Sequence, residues 1–241
     1  MKTNGNVLDV IPQFAEFVTA VIKALAKIWK KMDSTTAQGW IGNAKDLERV
    51  LSEALLLPGI DLADQLASWK KFYQEYFGLE LDPSNLKIPE QQPGFDRLIV
   101  VAKSLTPNQV YDMCAKHFPC WRYVDDLDKA VSTNDRLATE TYVIWVRDRA
   151  EADEENKGKS ANTLASENHK GITLMERLVL ELECFSETGK HLDVKNLTLC
   201  AGSRYAGGDV PSAYWHNGRF HVDYSRPSGA HFGSRARSVV S

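Results

Sequence analysis

The chain has 241 residues, 43% of them hydrophobic and 25% charged, with a net charge of -3 at neutral pH. That size and balance fit one or two soluble globular domains and exclude collagen-like, coiled-coil and wholly disordered chains. The small net charge gives no basis for wholesale binding to nucleic acid or anionic membranes. Four cysteines are too few for a disulfide-built scaffold.

The N-terminal apolar stretch from Val7 to Trp29 is broken by Asp9, Gln13, Glu16, Lys23 and Lys27. It has neither the unbroken apolar core of a signal peptide nor a run long enough to span a bilayer. Synthesis in the cytoplasm with reduced thiols is therefore expected. Phe14, Phe17, Val18, Val21, Ile22, Leu25, Ile28 and Trp29 recur at helical spacing and share one face. Asn43 is placed to cap a second helix through Leu57, ended by Pro58-Gly59, and Asp61 a third from Leu62 to Phe77, stopped by Gly78. In the third helix Leu62, Leu66, Trp69, Phe72, Tyr73 and Tyr76 form one stripe. Residues 1–78 thus read as a helical region, a small bundle or a docking module. Pro83, Pro89, Pro93 and Gly94 punctuate residues 79–94, which read as a linker.

From residue 95 onward strand and helix signals alternate. Phe95–Ala102 and Tyr142–Arg147 read as strands, and Thr106-Pro107 opens a helix that runs to His117. Residues 151–168 read as loop and short helix, with the acidic run Glu151–Glu155 taken as a solvated face. Thr173 opens an amphipathic helix with Leu174, Leu178, Leu182 and Phe185 on one side and Gly189 as its end. A strand begins at Leu197–Cys200. Asn217-Gly218 marks a hairpin between SAYWH and RFHVDY, and Ala236–Val240 is a last strand. A domain whose first and last segments are strands can pair them. The order gives an α+β domain over residues 95–241.

The tail is compositionally distinct. Residues 201–241 hold six of the fifteen glycines, three of the six histidines and seven serines, but no Lys, Glu, Gln or Met. At the frequency of residues 1–200 a tail of this length would hold roughly nine of those four types, which makes their absence informative. Surface loops are rich in Gly, Ser, Asn and Asp, which explains the excess better than the absence. Randomising the adenines of AAC codons leaves C in the third position, and such codons never encode Lys, Glu, Gln, Met or Trp. The tail obeys that vocabulary apart from Trp215, which then belongs to the fixed scaffold.

On this pattern the segment LCAGSRY…VPSAYWHNG…FGSRARSVVS resembles the C-terminal variable region of diversity-generating retroelement variable proteins. The resemblance implies a C-type lectin-like domain over residues 95–241, with a mixed, mainly antiparallel sheet, two flanking helices and paired terminal strands. It implies a variable region at about 201–237 that faces solvent and binds varied ligands, most simply proteins. It leaves the site of display, virion or cell surface, open. Alternation puts Trp215, Phe220 and Val222 in the core. It leaves Tyr205, Ser212, Tyr214, His216, Asn217, His221, Asp223, Tyr224, Ser225, Ser228, His231 and Phe232 as candidate ligand contacts, with Tyr224 on the core side by strict alternation. Tyr, Ser and Asn are the residue types that binding loops favour.

Other chemistry is weakly signalled. Cys114, His117 and Cys120 have the spacing C-x2-H-x2-C, but a structural zinc wants four ligands and Pro119 displaces Cys120, so these thiols read as small buried groups. His221-x-Asp223 with nearby His216 lacks a third partner for an acid–base or metal site. Trp215-His216-Asn217 lacks the carboxylate that calcium-dependent lectins use. No cysteine follows Cys200, where formylglycine-generating enzymes of related fold carry an active-site pair. Arg147, Arg149, Arg235 and Arg237 suit phosphate, but the last two read as partners of carboxylates near the terminal strand. No catalytic residue, metal or cofactor is expected. The competing readings are an enzyme or modifying factor built around His216, His221 and Asp223, or a structural protein driven by its helical region.

Overall fold

The structure, a computed structural model, describes residues 62–241 and, before them, residues 19, 22, 23, 25–43, 46, 47 and 50. The chain divides into two compact units, residues 1–58 and 59–241. Among the described residues no helix is long and apolar enough to cross a membrane.

In the first unit helix α1 spans Ser34–Gly42. Asp33 starts it by accepting the Thr36 N–H at 2.8 Å. Asn43 ends this helix, its N–H bonding the Trp40 carbonyl at 3.3 Å, and begins the next as expected, its carbonyl accepting the Leu47 N–H at 3.1 Å. Its side chain also accepts from the Asp46 N–H at 3.4 Å. The remainder of the expected helix to Leu57, and the stripe residues Phe14, Phe17, Val18 and Val21, lie outside the described residues. Ile22, Leu25, Ile28 and Trp29 of that stripe are exposed.

The second unit contains more than the expected domain. Helix α2, Leu62–Phe77, lies along strand β1, Arg97–Val101. Gln65 Oε1 accepts the Leu98 N–H at 2.8 Å, Trp69 Nε1 donates to the Leu98 carbonyl at 3.0 Å, and the Tyr73 hydroxyl donates to the Val100 carbonyl at 2.6 Å. Tyr73 also accepts from the Ala102 N–H at 3.2 Å. These side chains satisfy an edge of β1 that would otherwise be an open template for another strand. Leu81 is buried, Leu86 and Ile88 pack on the same core, and the Pro89 carbonyl accepts from Trp145 Nε1 at 2.9 Å. The expected division into a helical region 1–78 and a linker 79–94 is thus corrected: residues 62–94 belong to the second unit, with Trp69, Phe72, Tyr73 and Leu81 in its core.

Strand β1 pairs antiparallel with β4, Tyr142–Val146. Helix α3, Pro107–His117, begins at the expected Thr106 with reciprocal bonds between Thr106 and Gln109. Strand β2 is Cys120–Arg122, helix α4 Leu127–Ala130, strand β3 Val131–Asn134 and helix α5 Ala161–Ser166. Helix α6, Leu174–Thr188, runs from a Thr173/Glu176 capping box to Gly189, whose φ of 66° suits glycine. The expected stripe of Leu174, Leu178 and Leu182 is buried, but so are Glu176, Arg177, Glu181 and Glu183. The helix is covered on most sides rather than amphipathic at a surface.

The last sheet has the order β2-β8-β7-β5-β9, with β5 at Leu197–Leu199, β7 at Val210–His216, β8 at Arg219–Ser225 and β9 at Ser234–Ala236. The β2/β8 and β5/β9 pairs are parallel and the others antiparallel, so the unit is a mixed α+β domain. Strand β6, Ser203–Tyr205, pairs with β3. The expected last strand, 236–240, resolves into β9 and two isolated bridges, Gly171 to Ser238 and Trp145 to Val240. The first and last segments therefore do not pair with each other. Trp145 of β4 exchanges both backbone bonds with Val240, at 2.9 and 3.0 Å, and β4 stands between β1 and the chain end.

One close approach locks the start of the tail. A Cβ on Gly202 would lie 2.7 Å from the Gly171 carbonyl oxygen, and one on Gly171 would lie 2.7 Å from Ala201 Cβ. Only glycine admits this contact between the two backbones.

Candidate functional site

The hairpin forms as its sequence dictates. Asn217 and Gly218 have φ of 48° and 74°, the left-handed pair that a two-residue turn between twisted strands requires. The register then runs from Val210 opposite Ser225 to His216 opposite Arg219. Phe220 and Val222 are fully buried, as expected, and face the core with Ala213.

The outward face is built by three strands. Tyr214 of β7 and Trp121 of β2 both lie opposite His221 of β8 in register. The Tyr214 and His221 rings are parallel within 6° at 5.1 Å, and the Trp121 ring follows at 5.4 Å from His221. Tyr123 and Tyr224 meet beside this row at 4.5 Å. Asp223 joins the two groups: its carboxylate accepts the Tyr214 O–H at 3.2 Å and the Tyr224 N–H at 2.8 Å. Partial burial, then the Asp223 charge, raise the Tyr214 phenol above its ordinary value. His221 Nε2 lies 3.2 Å from the His216 carbonyl, which orients the ring and favours the Nε2–H tautomer. Trp121 is 39% exposed and Tyr123 54% exposed.

The candidate contacts divide accordingly. Tyr214, His216, Asn217, His221 and Asp223 belong to the hairpin face or its tip. Tyr224 joins them against strict alternation, exposed beside Tyr123 near the end of β8. Two candidates are corrected. Tyr205 is buried in the core with its hydroxyl 3.3 Å from the Asp223 carbonyl, and burial raises that phenol strongly. Ser212 is buried in the stretch where β7 has neighbours on both sides, β5 and β8. Ser225 is half-buried at the strand end. Ser228, His231 and Phe232 lie on the exposed loop after β8, where Lys157 Nζ sits 4.0 Å from the Phe232 ring centre. Trp215 is only partly buried, against the expectation of full burial. It stacks on His191 at 3.3 Å and within 6°.

Trp121 and Tyr123 were missed. Their only signal is the alternation in CWRY after Pro119, too short to read as a strand without its partner β8.

A buried polar network supports the hairpin from below. Asp193 faces Arg177 and Arg237, each at 2.9 Å, and accepts the Thr198 hydroxyl at 2.5 Å and the Ala152 N–H at 2.7 Å. Arg177 also meets Glu181 at 2.8 Å, and Glu181 meets His191 Nδ1 at 2.9 Å. His191 then stacks on Trp215, so the network reaches β7 through a chain of direct contacts.

The remaining groups are structural. The acidic run is a solvated face only in part: Glu154 and Glu155 are exposed, but Asp153 is buried against Arg147 at 2.6 Å and accepts the Ser238 N–H at 2.8 Å. Glu151 accepts the backbone N–H groups of Lys195 and Asn196. Arg235 meets Glu154 at 2.5 Å and Arg237 meets Asp193, the carboxylate pairing expected of both. Cys114 is fully buried, and burial pushes the Cys120 thiol up to about 12. His117 is exposed and its ring lies 4.9 Å from that of Tyr76. Among the described residues no three His, Cys, Asp or Glu side chains are grouped to hold a metal ion.

Comparison of this chain with protein-family models, with curated proteins and with solved structures gives no match.

Proposed function

We propose that this chain is a non-catalytic binding protein whose C-terminal surface is diversified by adenine-directed mutagenesis, on a domain of C-type lectin-like type. The observation that carries the reading is the two-sided hairpin. Its inner face, Ala213, Phe220 and Val222, is core, whereas its outer face carries Tyr214, His216, His221 and Asp223. Positions on an outward face, half-buried or exposed, accept substitution at smaller cost to folding than core positions, which a diversified surface requires. Affinity would come from a few aromatic anchors within a polar rim.

The test is the DNA around the gene. A second, near-identical copy of the last hundred-odd bases, differing where the template has adenine and lying near a reverse transcriptase frame, is expected. Absence of any such copy overturns the diversification reading and leaves the tail's composition as that of a loop-rich segment.

A further inference from the structure

We propose that the outer face of the hairpin recognises an arginine side chain presented by a protein partner, with Asp223 as acceptor and Trp121 and Tyr123 as contacts outside the variable region. The inference rests on the binding reading above and deepens it.

Asp223 is the centre of the argument. Elsewhere in this unit inward-facing carboxylates meet a guanidinium: Asp153 meets Arg147, Glu176 meets Arg136, and Asp193 meets Arg177. Asp223 has no cationic partner among the described residues. One oxygen accepts the Tyr224 N–H and the other the Tyr214 O–H. A carboxylate oxygen has two acceptor positions, so each oxygen retains one. Spare acceptor capacity on both oxygens is what a guanidinium fork requires, since it binds carboxylates through two parallel bonds. An ammonium offers no such fork.

The surroundings favour the same ligand. Tyr214 touches the carboxylate directly, and Trp121 and Tyr123, which meet His221 and Tyr224 of the same strand, extend half-buried and exposed aromatic surface on this face. Trp121 stands on edge strand β2, beyond which no further strand pairs among the described residues. A planar cation lies well on such surface. The domain already uses this contact, with Arg147 4.2 Å from the Phe95 ring centre and Arg122 4.7 Å from that of Tyr111. The division of labour follows from position. Trp121 and Tyr123 precede residue 201 and persist whatever the tail becomes, whereas Asp223 lies within it and sets the choice of arginine in this copy.

The experiment titrates the full chain with acetyl-Gly-Arg-Gly-amide, its lysine counterpart and its citrulline counterpart, read by NMR at the indole N–H signals, with Trp121 assigned by substitution. The arginine peptide is expected to shift the Trp121 signal, to bind more tightly than the lysine peptide and to lose roughly tenfold or more in affinity with Asp223→Asn. Trp121→Phe is expected to weaken binding without changing the melting curve. Equal binding of citrulline, equal binding of lysine, no effect of Asp223→Asn, or no shift at all would each overturn the proposal. Sequencing around the gene reads the diversification hypothesis separately, so either idea can fail alone.

Discussion

Arg177 on α6 and Asp193, both fully buried, face each other at 2.9 Å beneath the hairpin. Asp193 also holds Arg237 near the chain end at 2.9 Å, so a single carboxylate ties the central helix to the last segment. Removing one partner of such a pair strands the others in a medium that solvates charge poorly. Asp193→Asn is expected to destabilise the domain by about 3–5 kcal/mol, read by urea denaturation at neutral pH. A midpoint within error of the parent would show that the network is not what holds these elements.

The same residue sets an acid limit. Burial pushes the Asp193 carboxyl upward, but Arg237 and Arg177 together outweigh it, and the net direction is downward. A carboxyl lowered on folding contributes stability that is present above its unfolded value, about 3.9. That stability is lost as pH falls through the folded value. Denaturation midpoints are therefore expected to fall below about pH 4 in the parent. Asp193→Asn removes this carboxyl's share, so its acid slope should be shallower; an unchanged slope would assign the acid limit to other groups.

Tyr214 and Trp215 are neighbours with opposite duties. Trp215 lies flat on His191, and Trp215→Ala is expected to cost about 2–4 kcal/mol, less than a fully buried tryptophan. Tyr214→Ala should change stability by no more than about 1 kcal/mol while weakening ligand binding. Thermal melts of the two variants decide it, and a larger loss at Tyr214 would make it a structural residue.

Gly202 is expected to resist the smallest substitution. Gly202→Ala places a methyl group 2.7 Å from the Gly171 carbonyl. The backbone has to separate, at a cost of about 1–3 kcal/mol. A melting temperature equal to that of the parent would show that the two loops part freely.

The domain boundary is open to truncation. A chain beginning at residue 59 is expected to keep a cooperative melt, whereas one beginning at residue 79 loses Trp69 and Tyr73 and bares the edge of β1. Tyr73→Phe removes two buried hydrogen bonds and should cost about 1–3 kcal/mol. If the chain from residue 79 melts like the one from residue 59, α2 is an accessory and the 79–94 segment a true linker.

What the sequence determined by itself is local. Thr106 with Gln109, Thr173 with Glu176, Gly189 and Asn217-Gly218 act within a few residues of themselves, and each helix end and turn formed where those signals stand. Alternation in RFHVDY likewise placed Phe220 and Val222 inside, because side-chain direction along a strand needs no partner.

Only the tertiary structure decided what depends on partners distant in the chain. Tyr205 and Ser212 look like exposed polar positions, yet neighbouring elements cover them. Helix α2 reads as one of three mutually packed helices, yet its aromatic stripe seals the edge of β1, since an amphipathic pattern says which face is buried and not against what. Trp121 and Tyr123 enter the candidate site only because β2 pairs in parallel with β8, about a hundred residues on along the chain. Burial of α6 on most sides was hidden for the same reason: Arg177 and Glu181 look like a solvent-facing pair until Asp193 and Arg237 are folded over them.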